Sequence, residues 1–242
     1  MTTGNNTTWI LCTGMRRSAS AWQFKTVCDF LPFSYNLGFI AHTEFSYYFK
    51  KLDSVEQCVI VKSHAFLPNY SNHFEELAKE NRIVLVTSIR DIRDVCSSLY
   101  KKWLDWGHPR DNQNLERTVA AVINETNSWR SFGSNFGKRV VMQRYEEIVE
   151  DYCLATIEIR NALQFSGLSP LDKIEEICNG NLPENMKNEE IRYGESGRIW
   201  WHHNHMNDGN VGQWKTELRQ DQIDVIESSG GKKWLEENNY VE

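Results

Sequence analysis

Four short runs of strand-forming residues, each closed by polar residues and separated by helix-length amphipathic stretches, constrain this chain more than any other feature. Thr8 to Cys12 (TWILC), Cys58 to Val61 (CVIV), Ile83 to Val86 (IVLV) and Arg139 to Met142 have strand length and strand composition. Helical periodicity fills the intervals: about Ser18 to Leu31, Asn72 to Asn81, Asp94 to Trp106 and Asn114 to Arg130. Helices then run on to about Phe165, to Cys178, and again from about Lys215. Strands alternating with helices join through crossovers into a parallel sheet covered on both faces. The expected fold is therefore α/β: a doubly wound, mainly parallel central sheet flanked by helices, with ligands at the carboxyl ends of the strands. At 242 residues the chain has room for one such core, so residues 1–242 read as a single domain. The stretch from Asn179 to Gly212 is polar, rich in Asn, Gly and His and weakly periodic, which predicts a long functional loop or lid over 179–212.

Charge and cysteine usage remove several function classes. A net charge of −6 argues against the broad basic surface that nucleic acids or sulfated polysaccharides usually require, although it permits one anionic nucleotide in a locally basic cleft. The six Cys are scattered with no C-x-x-C pair, so no zinc site and no disulfide framework is expected, and reduced thiols point to a cytoplasmic protein. Met1 to Thr8 does not read as a signal peptide, and no run of about 18 apolar residues offers a membrane span. Neither a membrane nor a nucleic-acid partner is expected.

Polar clusters stand at the strand ends. After the first strand comes Gly14-Met15-Arg16-Arg17-Ser18-Ala19-Ser20-Ala21-Trp22, where the free amides of a helix start and two Arg side chains make an anion site. It lacks the Gly-Lys-Ser/Thr that serves a γ-phosphate and its magnesium. After the second run comes Lys62-Ser63-His64, and after the third Arg90, with Ser98 eight residues on, a pair able to converge on one phosphate or simply to cap and pair within a helix.

Taken in order, these segments resemble the family of sulfotransferases that use 3′-phosphoadenosine 5′-phosphosulfate (PAPS). Arg17-Ser18-Ala19-Ser20-Ala21-Trp22 looks like the family's Lys/Arg-Ser-Gly-Thr/Ser-Thr-Trp loop, and Lys62-Ser63-His64 like its Lys-Thr/Ser-His. Arg90 and Ser98 match its spaced pair, Tyr145-Glu146 its later Tyr-Glu, and Gly209-Asn210-Val211-Gly212-Gln213-Trp214-Lys215 its Gly-x-x-Gly-Asp-Trp-Lys. The resemblance implies PAPS as the sulfuryl donor, with no metal, and His64 as catalytic base helped by Lys62 and Arg17. It implies that Arg16, Arg17, Ser18, Ala19, Ser20 and Ala21 wrap the 5′-phosphate, and that Trp22 stacks on adenine. Arg90 and Ser98 would then hold the 3′-phosphate, with Tyr145, Gly209 and Gly212 beside the nucleotide. Three departures stand out: Ala19 replaces the loop Gly, Arg17 replaces the usual Lys, and Asn207-Asp208 replaces the family's Arg-Lys.

The implied reaction is in-line transfer to a hydroxyl or amine of a small-molecule acceptor, with imidazole as the base suited to neutral pH. The acceptor pocket is expected from Leu31 to Leu52, Trp103 to Asn114 and the 179–212 segment, with Phe33, Tyr35, Phe45, Tyr47, Tyr48, Trp103 and Trp106 as candidate lining. His202, His203 and His205 lack the spacing and carboxylate or Cys support of a metal site. Two other readings stay open: a P-loop nucleoside or small-molecule kinase, and a catalytically silent nucleotide-binding module.

Overall fold

A computed structural model describes residues 7–41, 44–52, 58–64, 71–103, 107–134, 137–186, 190–197, 199–201 and 210–240. Its centre is a five-stranded parallel sheet of β1 (Thr8–Cys12), β2 (Tyr35–Phe39), β3 (Cys58–Lys62), β4 (Ile83–Ile89) and β5 (Val140–Arg144), in the order β2-β3-β1-β4-β5. From β1 the chain goes to the edge strand β2, returns inward to β3 beside β1, and then crosses to β4 and β5 on the other side. A switch in strand order of this kind opens a crevice above the carboxyl ends of β3, β1 and β4.

Alternation along the strands explains the two covered faces. On one side Ile10, Cys12, Ile60, Val84 and Val86 pack under α1 (Ser20–Phe30), α7 (Tyr152–Phe165) and α8 (Ile174–Gly180). On the other, Trp9, Leu11, Val59, Val61 and Leu85 meet α2 (Phe45–Leu52), α3 (Ser71–Lys79) and α5 (Asn112–Gly133). Leu11 is 1 % exposed, so Leu11→Ala would cost about 3 kcal/mol through lost transfer energy and a cavity. A third cluster joins α4 (Ile92–Trp103) and α5 to the C-terminal helices α11 (Gln220–Ile226) and α12 (Lys232–Glu237) through Val95, Leu99, Val119, Ile226 and Trp234. No helix among the described residues is long and apolar enough to cross a membrane.

Two differences from the sequence reading concern the sheet edge. Tyr35–Phe39 is a strand, although Asn36 and Gly38 hide its pattern: among the described strands it pairs with β3 alone, carries a register shift between these two residues, and places Gly38 at φ 72°. The segment from Leu31 to Leu52, expected to line the acceptor pocket, is thus largely a strand and a helix. Residues 179–212 are also partly built. They hold the end of α8, the short helix α9 (Pro183–Met186) and an antiparallel pair, β6 (Arg192–Tyr193) and β7 (Ile199–Trp201). The turn of that pair lies along β2: Glu195 and Ser196 donate backbone N–H bonds to the carbonyls of Asn36 and Leu37. A Cβ on Gly194 would lie 2.3 Å from the Leu37 oxygen, so the contact requires glycine.

Candidate active site

The loop after β1 is shaped by close approach to β4. Gly14 has φ 112°, and a Cβ there would lie 2.5 Å from the Ser88 carbonyl oxygen. Met15 N–H donates to that same oxygen at 3.0 Å. Arg17 (φ 65°) and Ala19 (φ 72°) are also left-handed, an unfavourable conformation for side-chain-bearing residues that winds the backbone into a concave turn. Ala19 caps α1 without a side-chain hydrogen bond, leaving the first-turn amides without that partner. Ser18 is turned inward: its hydroxyl donates to the Met15 carbonyl at 2.5 Å and lies 2.9 Å from the Ser88 hydroxyl. Ser20 and Ala21 are buried in the first turn of α1, while Arg16 is exposed and paired with Glu125.

Arg17, Arg90 and Ser98 converge. Arg17 Nε donates to Ser98 Oγ at 2.9 Å, and Arg90 Nη1 donates to the Arg17 carbonyl at 3.1 Å. Arg90 sits 4.1 Å over the Tyr145 ring and donates through Nη2 to the Asn210 carbonyl at 3.0 Å. Its Nε is buried without a hydrogen-bond partner, so one donor of the guanidinium is unsatisfied. Burial and the neighbouring Arg90 both push the Arg17 guanidinium below its ordinary pKa, which an anion between the two would reverse.

On the other side of the switch, Lys62 ends β3 level with Cys12 of β1, and is 4 % exposed. Among the described residues its ammonium meets no hydrogen-bond acceptor or carboxylate. Burial, with help from Arg17, brings its pKa down to about 7, with Cys12 acting the other way. His64 is half-buried, with Nδ1 3.2 Å from the Gly14 carbonyl. A carbonyl only accepts, so Nδ1 carries the proton and Nε2 keeps its lone pair. Burial first, and then the charge of Lys62, press the His64 pKa down to about 3, against the Gly14 bond. The ring is therefore neutral at physiological pH. Trp129, on α5, donates from Nε1 to the His64 carbonyl at 3.2 Å and fixes the turn.

Gly212 and Trp214 are held by a residue that the motifs did not single out. Asp94, fully buried on α4, accepts Gly212 N–H at 2.8 Å and Trp214 N–H at 3.0 Å, and faces Arg90 at 3.5 Å. Its position four residues after Arg90 was the available signal. Glu146, next to Tyr145 at the start of α6 (Tyr145–Glu150), accepts the Asp91 N–H and the Tyr240 hydroxyl. Tyr240 lies 94 residues away and carried no sequence signal. Gly209, and with it Arg198, His202, His203, His205, Asn207 and Asp208, falls outside the described residues, as does Trp106.

Two expectations change. Trp22 is 0 % exposed, donates from Nε1 to the Asn181 carbonyl at 3.0 Å and meets Tyr152 edge-on, so in this conformation no ring face is open to an adenine. Of the aromatics expected in an acceptor pocket, Phe45 packs against Phe49 and Phe74, and Trp103 belongs to the third cluster, whereas Phe33 is 94 % exposed. Burial in these clusters makes Phe45 and Trp103 core residues.

A family model for the sulfotransferase domain matches residues 5–235. No curated protein sequence matches the chain. Among solved structures, mouse sulfotransferase SULT7A1 complexed with PAP aligns over 94 % of this chain and 84 % of its own, with TM-score 0.64 and 14 % identity. Retinol dehydratase in complex with androsterone and inactive cofactor PAP aligns over 91 % of this chain and 79 % of its own, with TM-score 0.48 and 14 % identity. The first of these shares the open parallel sheet flanked by helices.

Proposed function

Because this chain belongs to the sulfotransferase domain family, we propose that it moves a sulfuryl group from PAPS to a hydroxyl or amine of a small-molecule acceptor. The observation that carries the reading is the convergence of Arg17, Arg90 and Ser98 beside the uncapped start of α1, with Arg90 Nε buried and unpaired. That arrangement suits a dianionic phosphate: an oxygen would satisfy the orphaned donor and offset the crowding of two guanidiniums. A second phosphate fits the concave loop over the α1 amides, as in other helix N-terminal anion sites. The PAP bound to mouse SULT7A1 is consistent with this assignment.

In the proposed reaction the donor supplies the sulfuryl group, and the acceptor oxygen or nitrogen attacks sulfur as the bond to the bridging phosphate oxygen breaks. His64 takes the acceptor proton at Nε2, since its Nδ1 is occupied by Gly14. Its low pKa in the ligand-free site follows from burial and nearby cations, and the donor's negative charge raises it toward the range in which imidazole accepts a proton. Lys62, close enough to lower that pKa, stabilises charge on the leaving oxygen, and Arg17 does so on the phosphate. Each needs no reorganisation because the strand end and the loop already hold it.

The test is calorimetric titration with PAP and with ATP, each with and without magnesium, followed by an acceptor screen with PAPS. Metal-independent PAP binding that Arg90→Ala weakens by about 10- to 100-fold supports the donor site. Preference for ATP with magnesium overturns it in favour of a kinase, and PAP binding without turnover of any acceptor identifies a silent module.

A further inference from the structure

Two segments meet at His64 and also touch each other. The β1 loop reaches it from Gly14, whose carbonyl accepts a hydrogen bond from the imidazole Nδ1–H; α5 reaches it from Trp129, which donates to the His64 carbonyl. The loop and α5 then meet each other through Arg16 and Glu125, Nη2 to Oε1 at 3.0 Å. Glu125 precedes Trp129 by four residues, so the two share a helix face, one turn or about 5.4 Å apart. Only one oxygen of that carboxylate is used: among the described residues Glu125 Oε2 is buried with no hydrogen-bond partner. Arg16 is the exposed member of the pair, its side chain 49 % accessible against 17 % for Glu125.

A half-satisfied buried carboxylate is costly in a folded protein, because the free oxygen loses water and gains nothing. Burial accordingly raises the Glu125 pKa, while Arg16 holds it down. The pair is not needed to hold α5, which is anchored by Leu115, Val119, Val122 and Trp129. Among the described residues Arg16 is the one cation paired with it, so the second carboxylate oxygen remains a negative, acceptor-only group beside the β1 loop.

We propose that Glu125 Oε2 is an acceptor-recognition site, and that it takes a protonated amine carried by the small molecule being sulfurylated. The amine supplies the missing donor, and Arg16 is the side chain that moves to admit it. This rests on the sulfotransferase reading and names the acceptor class within it.

Phenols bearing an amine at increasing distance test the idea, each beside its methyl isostere: 4-hydroxybenzylamine with 4-ethylphenol, and tyramine with 4-propylphenol. With PAPS as donor, the wild type is expected to favour the amine by at least about 10-fold in kcat/KM at one of the two lengths, the value of one charge-assisted contact. Glu125→Gln should erase that preference while changing the uncharged isosteres by less than about 3-fold. Glu125→Asp, which keeps the charge but draws the carboxylate back toward α5, should shift the preference toward the longer amine. Equal rates for amine and isostere in the wild type overturn the proposal, as does a Glu125→Gln loss that is equal for both. If no phenol is sulfurylated, binding of the same probes to the PAP complex by calorimetry gives the same ratio, and no amine preference there overturns it. Absence of PAP binding would instead mark the failure of the transferase reading.

Discussion

The two sides of the crevice are built differently. The β4 side is cross-linked by hydrogen bonds from distant segments: Asp94 ties Gly212 and Trp214 to α4, Arg90 grips the carbonyls of Arg17 and Asn210, and Glu146 joins Asp91 to Tyr240. Arg93 adds a bond to the Tyr240 carbonyl and lies 3.9 Å over the Trp214 ring. The β3 side is sparsely bonded. Lys62 has no such network among the described residues, and His64 relies on Gly14 and Trp129. Anchoring a polyanion requires fixed donors, whereas proton transfer requires groups whose charge is not already neutralised by a neighbour. Burial without ion pairing is what brings Lys62 to about 7 and His64 to about 3.

The contrast breaks most visibly at His64. His64→Ala should lower kcat by about 10²- to 10⁴-fold with PAP affinity unchanged, measured by steady-state kinetics and calorimetry; a parallel loss of PAP affinity would show that the two sides are not separable. Next in size, Asp94→Ala strands Arg90 and two backbone amides. Thermal and chemical unfolding should register a loss of about 3 kcal/mol, with weaker PAP binding.

The pH dependence sharpens the comparison from the β3 side. The Lys62 pKa is depressed from 10.5 to about 7, so between those values the folded protein has shed a proton that the unfolded chain still carries. For this group, stability of the ligand-free protein therefore rises with pH across that window and is lower below it. Anion binding favours the charged form, so PAP affinity should fall as pH rises through about 7, with proton uptake on binding visible in buffers of different ionisation enthalpy. Lys62→Arg, which does not deprotonate, should flatten that profile. The smallest effect is expected at Tyr240→Phe, which removes only the hydroxyl bond to Glu146: a loss of about 1–2 kcal/mol in stability and a modest weakening of PAP, with kcat at saturating donor unchanged.

Four of the five sheet strands were legible because their apolar runs are of strand length, rich in strand-forming residues and bounded by polar residues. β2 was not, since an edge strand with a bulge tolerates Asn36 and Gly38. At the site, the loop after β1, Lys62, His64, Arg90 and Ser98 could be picked out as polar residues at strand ends. The sequence could not tell which face of Trp22 or Phe45 would be covered, because that depends on Asn181 and on Phe49 and Phe74 packing against them.

What the amino-acid order determined by itself was local: strand and helix periods, the helix start after Gly14, and the polar groups delivered to the carboxyl edge of a parallel sheet. The strand order, and everything that follows from it, was decided in three dimensions. Arg17 and Ser98 are 81 residues apart, Arg90 and Asn210 are 120, and Glu146 and Tyr240 are 94. Their bonds exist only after the core has closed, and so do the desolvation of Lys62 and the unsatisfied oxygen of Glu125. Charge and spacing can be read along a chain, but burial is a property of the packed whole.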